Sequence, residues 1–523
     1  MIKILLAVLF VCSNILFAQF TNIQINKPIS KTPEEVTIAI NPINPKIMAA
    51  GANIDFFYFS TNAGESWTEK RLSSSLGVWG DPCVIFDNSG NLYFAHLSNP
   101  AQGYWIDRIV VQKSTDNGLT WNNGSGIGYN YPKNQDKEWL AADLTNSPYK
   151  NNIYISWTEF DDYGSYSADD SSRILFSKSS DFGGSWSKPI KISDKSGNCV
   201  DSDETVEGAV PAVGPEGEIY VAWAGPEGIY FDKSTDGGES FTKDKIISDM
   251  PGGWDFDVPG ISRCNGLPIT ACDNSKSKYR GNVYVLWGDQ RNGTDNSDVF
   301  FMKSTDKGET WQQRIRVNDD NTSRHQFFPW MTVDSTSGII YVIFYDRRNT
   351  NGTATDVYIA RSVDGGDTFQ NIRVSETSFI PKANIFFGDY TNIAAYKGIV
   401  RPVWMRLDEN VLSVHTAFIN DKDLITKTEE DKPDLILKPD LLNNYPNPFN
   451  PNTTISFEIP ERGFVSIKVY DILGRTVADL LNEERNKGVY ELNFSGENIS
   501  SGVYFYQMYV GKYSASKKMV LMR

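Results

Sequence analysis

The octapeptide STDNGLTW at Ser114–Trp121 is written six times along the chain, with small changes in spelling. STNAGESW begins at Ser60, SSDFGGSW at Ser179, STDGGESF at Ser234, STDKGETW at Ser304 and SVDGGDTF at Ser362, so the starts lie roughly 54 to 70 residues apart. A period of this length means an array of equivalent units, each of which needs neighbours to cover its apolar faces. Every unit has the same grammar. Around the fourth copy it reads AVPAVGP, a glycine turn, EIYVAWA, a loop, GIYFDK, the repeated turn and KDKIIS. Short runs rich in Val, Ile, Tyr, Phe and Trp, bounded by Gly, Pro and Asp, predict four antiparallel strands per unit. Four-stranded sheets repeated about an axis make an all-β propeller.

After the sixth turn come YTNIAAYKG, IVRPVWMRL and LSVHTAFI, three strands where the pattern requires four. The missing outer strand is present near the other end of the chain. NIQINKPIS from Asn22 is similar to the outer strands IKISD at Ile190 and IRVND at Ile315. The predicted fold is therefore a seven-bladed β-propeller closed by an N-terminal strand, with six blades as the alternative. Closure removes the free sheet edges that would otherwise pair with other chains.

Both ends carry segments of another kind. MIKILLAVLFVCSNILFA has the lysine, apolar run and small final residue of an export signal, so residues 1–18 are expected to be removed, leaving no transmembrane segment in the mature chain. Residues 19–420 are assigned to the propeller. The charged, Pro-containing stretch 421–440 reads as a linker. Residues 441–523, with strands separated by Gly, Asn and Pro turns, predict a small C-terminal β-sandwich. A formal net charge of −15 repels phosphate backbones, which argues against nucleic acid as a partner. In an exported chain Cys264 and Cys272 are close enough in sequence to form a disulfide, while Cys83 and Cys199 read as buried apolar residues.

The repeated turn resembles the Asp-box, S-x-D-x-G-x-x-W, also called the BNR repeat, of the sialidase superfamily. Its Ser and Asp accept backbone N–H groups, its Gly permits positive φ and its aromatic wedges into apolar packing. The first copy departs from the pattern with Asn62 in the Asp position. The resemblance implies that these turns are structural and lie away from the functional face. Residues from YPNPFNP to GKYSASKKMVL closely resemble the C-terminal sorting domain (type A) of type IX secretion. That resemblance implies recognition by the secretion machinery and delivery to the outer cell surface or the medium.

Chemistry is expected on the opposite face, where the elaborate loops gather around a channel mouth. WGDQR supplies Trp287, Asp289 and Arg291, and FYDRR supplies Asp346, Arg347 and Arg348. Trp157 and Glu159 in the third unit and Arg406 in the seventh stand at the equivalent place. The lead-ins to the first strands add Trp79, Asp81, Glu138, Trp139, Glu207, His325, Gln326, Asp389 and Tyr390. Carboxylates, aromatic faces and guanidinium forks at one mouth suit a glycan. Catalytic candidates are Asp346, Glu159, Asp289, Glu207 and Tyr390, because glycoside hydrolysis uses two carboxyl groups or, in sialidases, a tyrosine tuned by a glutamate. Binding candidates are Arg291, Arg347, Arg348, Arg406, Trp157, Trp287, Asp81 and Asp389. Each Asp and Arg has a second reading as a strut between strands.

The resemblance implies an exo-sialidase-like glycoside hydrolase, although the family arginine before the first Asp-box is missing: no arginine precedes Arg71. The alternative is a non-catalytic adhesion or ligand-binding scaffold. H-E-x-x-H, G-x-S-x-G and Walker-type sequences are all lacking. With three histidines in the chain, no His-rich metal site is expected and no cofactor is assigned. Calcium in the acidic Asp161–Asp170 loop is the one metal considered.

Overall fold

A computed structural model describes residues 20–28, 33–424 and most of 439–522. The expected export signal lies outside the described residues. The chain divides into two compact units, one ending at Leu424 and one from Ile425 onward.

In the first unit each repeat folds as predicted into an antiparallel sheet of four strands in sequence order. In the fourth repeat these are Glu207–Val213, Ile219–Gly225, Gly228–Ser234 and Lys245–Ser248. Second strands such as Ile340–Asp346 are buried along their whole length, because they lie between the flanking sheets; this is why they read as unbroken apolar runs. Outermost strands such as Ile315–Arg316 are short and half-exposed. The first strands neighbour one another in a cycle, from Thr37–Ile40 through the other six and back through Asn392–Tyr396. Asn22–Gln24 pairs antiparallel with Val411–Ala417 in the seventh sheet, with Asn22 opposite Ala417. The N-terminal segment therefore occupies the outer position that the seventh repeat leaves empty.

The repeated turn is a closed hydrogen-bond unit. In the second copy Ser114 Oγ donates to Asp116 Oδ1 (2.8 Å) and accepts Gly118 N (2.8 Å), while Asp116 accepts Thr120 N (2.8 Å) and Oγ1 (2.6 Å). Asn62 does the same work in the first copy, accepting Ser60 Oγ and Ser66 N. Each turn also fastens the preceding sheet. The lysine just before one copy donates to a carbonyl of the next: Lys113 to Phe182, Lys178 to Gly237, Lys233 to Lys307 and Lys303 to Gly365, at 2.8 to 3.0 Å. Gly238, at φ +81°, lies so close to Phe176 that a Cβ would sit 2.6 Å from its ring. The seventh sheet has no such turn. There Arg361 and Tyr341 hold Asp421 instead, at 2.6 Å each. Residues 421–424, read from sequence as the start of the linker, therefore form a helical turn belonging to the first unit, with Leu424 fully buried.

No disulfide joins Cys264 to Cys272, contrary to expectation: both are free. The nine-residue span folds so that the two side chains enter different apolar clusters, Cys264 with Phe327 and Phe328 and Cys272 with Trp287 and Phe300.

The second unit contains a three-stranded and a four-stranded sheet. Alternate residues Ile455, Phe457 and Ile459 of one, and Val465, Ile467, Val469, Tyr506 and Met508 of the other, share one apolar cluster. The period-two pattern of this tail is the cause.

Candidate active site

On the face opposite the repeated turns, the lead-ins to the first strands leave regular β-geometry. Glu35, Asp81, Lys137 and Phe328 hold φ between +48° and +52°, and Gly208 and Gly388 hold +73° and +85°. Register shifts mark bulges at Asp136/Trp139, Glu207/Val210 and Phe327/Trp330. A non-glycine residue in this conformation costs about 1 kcal/mol or more, and such strain collects where a side chain must be aimed. The bulges surround a cavity lined by Asp81, Lys137, Glu138, Asn265, Asp389 and the rings of Trp139, Phe328, Trp330 and Tyr390. The two indoles lie 4.3 Å apart between centroids, and Tyr390 stands 5.8 Å from each.

Lys137 is the hub. Its ammonium lies 2.6 Å from Asp389 Oδ2, 3.4 Å from Asp81 Oδ2 and 3.9 Å from Glu35 Oε1. Arg263, from the insertion before the fifth sheet, donates through Nε to Asp389 Oδ1 (3.0 Å) and through Nη1 to Asp201 (2.8 Å). Glu138 is different: both its carboxyl oxygens are buried without a hydrogen-bond partner. One oxygen of Glu207 is in the same state, while the other accepts Thr205 Oγ1 at 3.1 Å.

These surroundings push the carboxyl groups apart in proton affinity. Burial, reinforced by Asp81, raises Glu138 well above the ordinary range. Burial also raises Glu207, with Asp201 and Asp136 adding to it. Glu35 and Asp136 rise for the same reasons, burial first and then Asp81. Asp389 goes the other way: burial works to raise it, but Lys137 and Arg263 outweigh that and hold it ionised. One cavity thus sets a carboxyl that burial makes a weaker acid beside one that its cations make a stronger acid, the division that acid and base chemistry uses.

Of the residues singled out from sequence, Asp81, Glu138, Trp139, Asp389 and Tyr390 line this cavity, and Glu207 faces the acidic cluster around it. Burial, then Asp81 and Glu35, push the Tyr390 phenol upward, which keeps it protonated and opposes a nucleophilic role. Trp79, by contrast, is exposed. The second-strand set lies elsewhere and is engaged within its own sheets. Asp289 accepts Arg291 Nε and Trp287 Nε1 (2.9 and 2.8 Å). Asp346 accepts Arg348 Nε (2.7 Å) and Gln326 Nε2 (3.2 Å). Glu159 is salt-bridged to Arg173, Arg406 to Asp408, and Trp157 donates to Gln135 (2.7 Å). Arg347 is buried over Phe327, and His325 meets Ser297. In the proposed calcium loop, Asp161 is held by Lys133 and Arg173 and Asp170 accepts Ser165 Oγ. Among the described residues no three His, Cys, Asp or Glu side chains converge as metal ligands.

Lys137, Arg263, Glu35, Asp136 and Asp201 were not singled out from sequence. The readable sign was the break in strand alternation around Lys137 and around Gly208, where the pairing shifts register at a bulge.

Residues 443–522 match the family model for the secretion system C-terminal sorting domain. The C-terminal unit is a secretion sorting domain. The chain is accordingly an exported protein, delivered to the cell surface or released. Among the described residues no helix is long and apolar enough to cross a membrane. A search of curated proteins finds no match to this chain. Among solved structures it is similar to an ulvan lyase (TM-score 0.46, 11% identity, 77% of this chain and 96% of that one). It is similar to the NanB sialidase of Streptococcus pneumoniae (0.43, 10%, 72% and 82%) and to a Dyadobacter fermentans protein of unknown function (0.42, 14%, 65% and 96%). At these scores the cycle of sheets rests on its own strand pairings.

Proposed function

We propose that the protein is an exported seven-bladed Asp-box propeller, with a C-terminal sandwich serving export, that binds and hydrolyses glycans at the channel mouth. One observation carries the reading: Glu138, buried with neither carboxyl oxygen paired and raised in proton affinity by that burial, shares a cavity with Asp389, which Lys137 and Arg263 hold low, and with Trp139, Trp330 and Tyr390. Glu138 donates its proton to the glycosidic oxygen as the bond to the anomeric carbon breaks, and a water then bonds that carbon and returns a proton to Glu138. The positive charge left on the sugar is met by Asp81 and Asp389, whose nearest oxygens lie within about 6 Å of each other, because both contact one ammonium. The rings supply apolar faces for the sugar.

The mouth suits a neutral or amino-bearing sugar better than sialic acid. Its net character is acidic, and Lys137 and Arg263 are already committed to Asp389. Arg291, Arg348 and Arg406 are committed to Asp289, Asp346 and Asp408, so these three do not present free guanidiniums to a substrate carboxylate. The full engagement of Asp389 favours the second reading, a binding scaffold on the same face. Glycan-array binding followed by product release from the bound glycans separates them. Turnover that Glu138→Gln abolishes supports hydrolysis; binding without turnover supports the scaffold; no glycan bound would sink both.

A further inference from the structure

We propose that a strip of exposed aromatic rings beside the cavity, carried by loops of the second and third sheets, is a binding track for a neutral polysaccharide chain. This rests on the reading of the mouth as a glycan site and extends it from a single sugar to a polymer. Tyr104, Trp105, Tyr129 and Tyr131 are between 43% and 55% exposed, although large aromatic side chains ordinarily seek cover. They are nonetheless fixed in place. Tyr104 and Tyr131 lie 4.3 Å apart between centroids at 32°. Trp105 stands edge-on to Tyr163 at 5.4 Å. Tyr129 lies beneath the Arg108 guanidinium at 4.3 Å, and Arg108 is itself forked onto Asp107 with two bonds of 2.8 Å. Preorganised flat rings lose little freedom when a ligand stacks on them.

Hydrogen bonds link the strip to the residues that line the cavity. Asn134 donates to the Trp105 carbonyl (3.2 Å) and accepts Tyr163 N (3.1 Å), and it begins the strand that carries Lys137 and Glu138. The Tyr163 hydroxyl donates to Asp201 (2.6 Å), Asp201 pairs with Arg263, and Arg263 with Asp389. The composition separates a sugar from a protein as occupant. The loops read NPAQGYWID and GYNYPK: rings, Gly, Pro and amides, with their one branched aliphatic, Ile106, fully buried. Ring faces beside amide groups match the C–H faces and hydroxyls of a sugar chain. The formal charge of −15 selects against acidic polymers.

The test is affinity electrophoresis of the full chain in gels holding neutral polysaccharides, with the corresponding trisaccharides as competitors. The variants are Tyr104→Ala/Tyr131→Ala and Trp105→Ala, with Tyr104→Phe/Tyr131→Phe to keep the rings, and melting temperatures check folding. Retardation by at least one polymer, weakened about tenfold in the alanine variants and kept in the phenylalanine variant, is expected, with trisaccharide binding unchanged. Equal affinity for polymer and trisaccharide, with no effect of folded alanine variants, would overturn the track and leave the mouth intact. Binding of no glycan of either length overturns both. Loss of protein adhesion in the variants with glycan retardation unchanged makes the strip a protein-docking surface and overturns the proposal.

Discussion

The two faces of the ring handle charge in opposite ways. On the face of the repeated turns every lysine before a turn has a carbonyl of the next sheet, and the turn aspartates accept bonds from two or more groups within their own loops. At the channel mouth the backbone is bent into strained bulges and Glu138 is buried with neither oxygen paired. Both faces use the same four-stranded unit. The repeat therefore carries the stability, and departures from the repeat carry the chemistry.

Substitutions on the two faces should then part company. The largest effect is expected from Glu138→Gln, which removes the proton donor: turnover of a cleaved glycan falls about 10²- to 10⁴-fold while the melting temperature holds or rises. Equal loss in both quantities would erase the contrast. Next is Gly238→Val on the opposite face. A side chain at φ +81° against Phe176 is expected to destabilise the first unit by about 3 kcal/mol in chemical denaturation, with KM unchanged in the folded fraction. Asp421→Ala releases Arg361 and Tyr341, and an expected loss of about 1–2 kcal/mol would show that residues 421–424 replace the missing seventh turn.

The smallest effect is the most discriminating, since the buried glutamates of the mouth and the turn aspartates respond to pH with opposite sign. Glu138 and Glu207 keep protons that the unfolded chain gives up above pH 4.5; their stabilising effect is complete below that pH and is lost as pH rises. Glu34, raised to about 7 by burial and then by Asp389, behaves likewise. Asp116 and Asp306 are held near about 2, chiefly by the hydroxyls of Thr120 and Thr310, so their contribution is present above 3.8 and is lost as pH falls toward 2. Melting curves across pH should show both limbs. Glu138→Gln flattens the one above 4.5 and Asp116→Asn the one below 3.8.

The repeated turns were legible because six copies state the same local chemistry, and the pairing of Asn22–Gln24 with the last sheet followed from counting strands. The mouth was only half legible. Asp81, Glu138, Asp389 and Tyr390 stand where the lead-ins place them, but Asp289, Asp346 and their arginines drew notice through a spacing that lets them satisfy each other. Each aspartate ends its strand and accepts the backbone N–H of the arginine two residues on in the turn that follows, and so Arg291 and Arg348 reach their own aspartates before any ligand arrives. Lys137 escaped notice because its role depends on a left-handed backbone that a lysine rarely adopts, and Arg263 because it folds back from a long insertion.

The state of the mouth is measured most directly by infrared spectroscopy of the full chain at pH 7, with Glu138→Gln as the reference. The account predicts a protonated-carboxyl band that loses the Glu138 contribution in the variant while the ionised Asp389 signal remains. A spectrum in which every carboxyl is ionised, identical in both proteins, would contradict it.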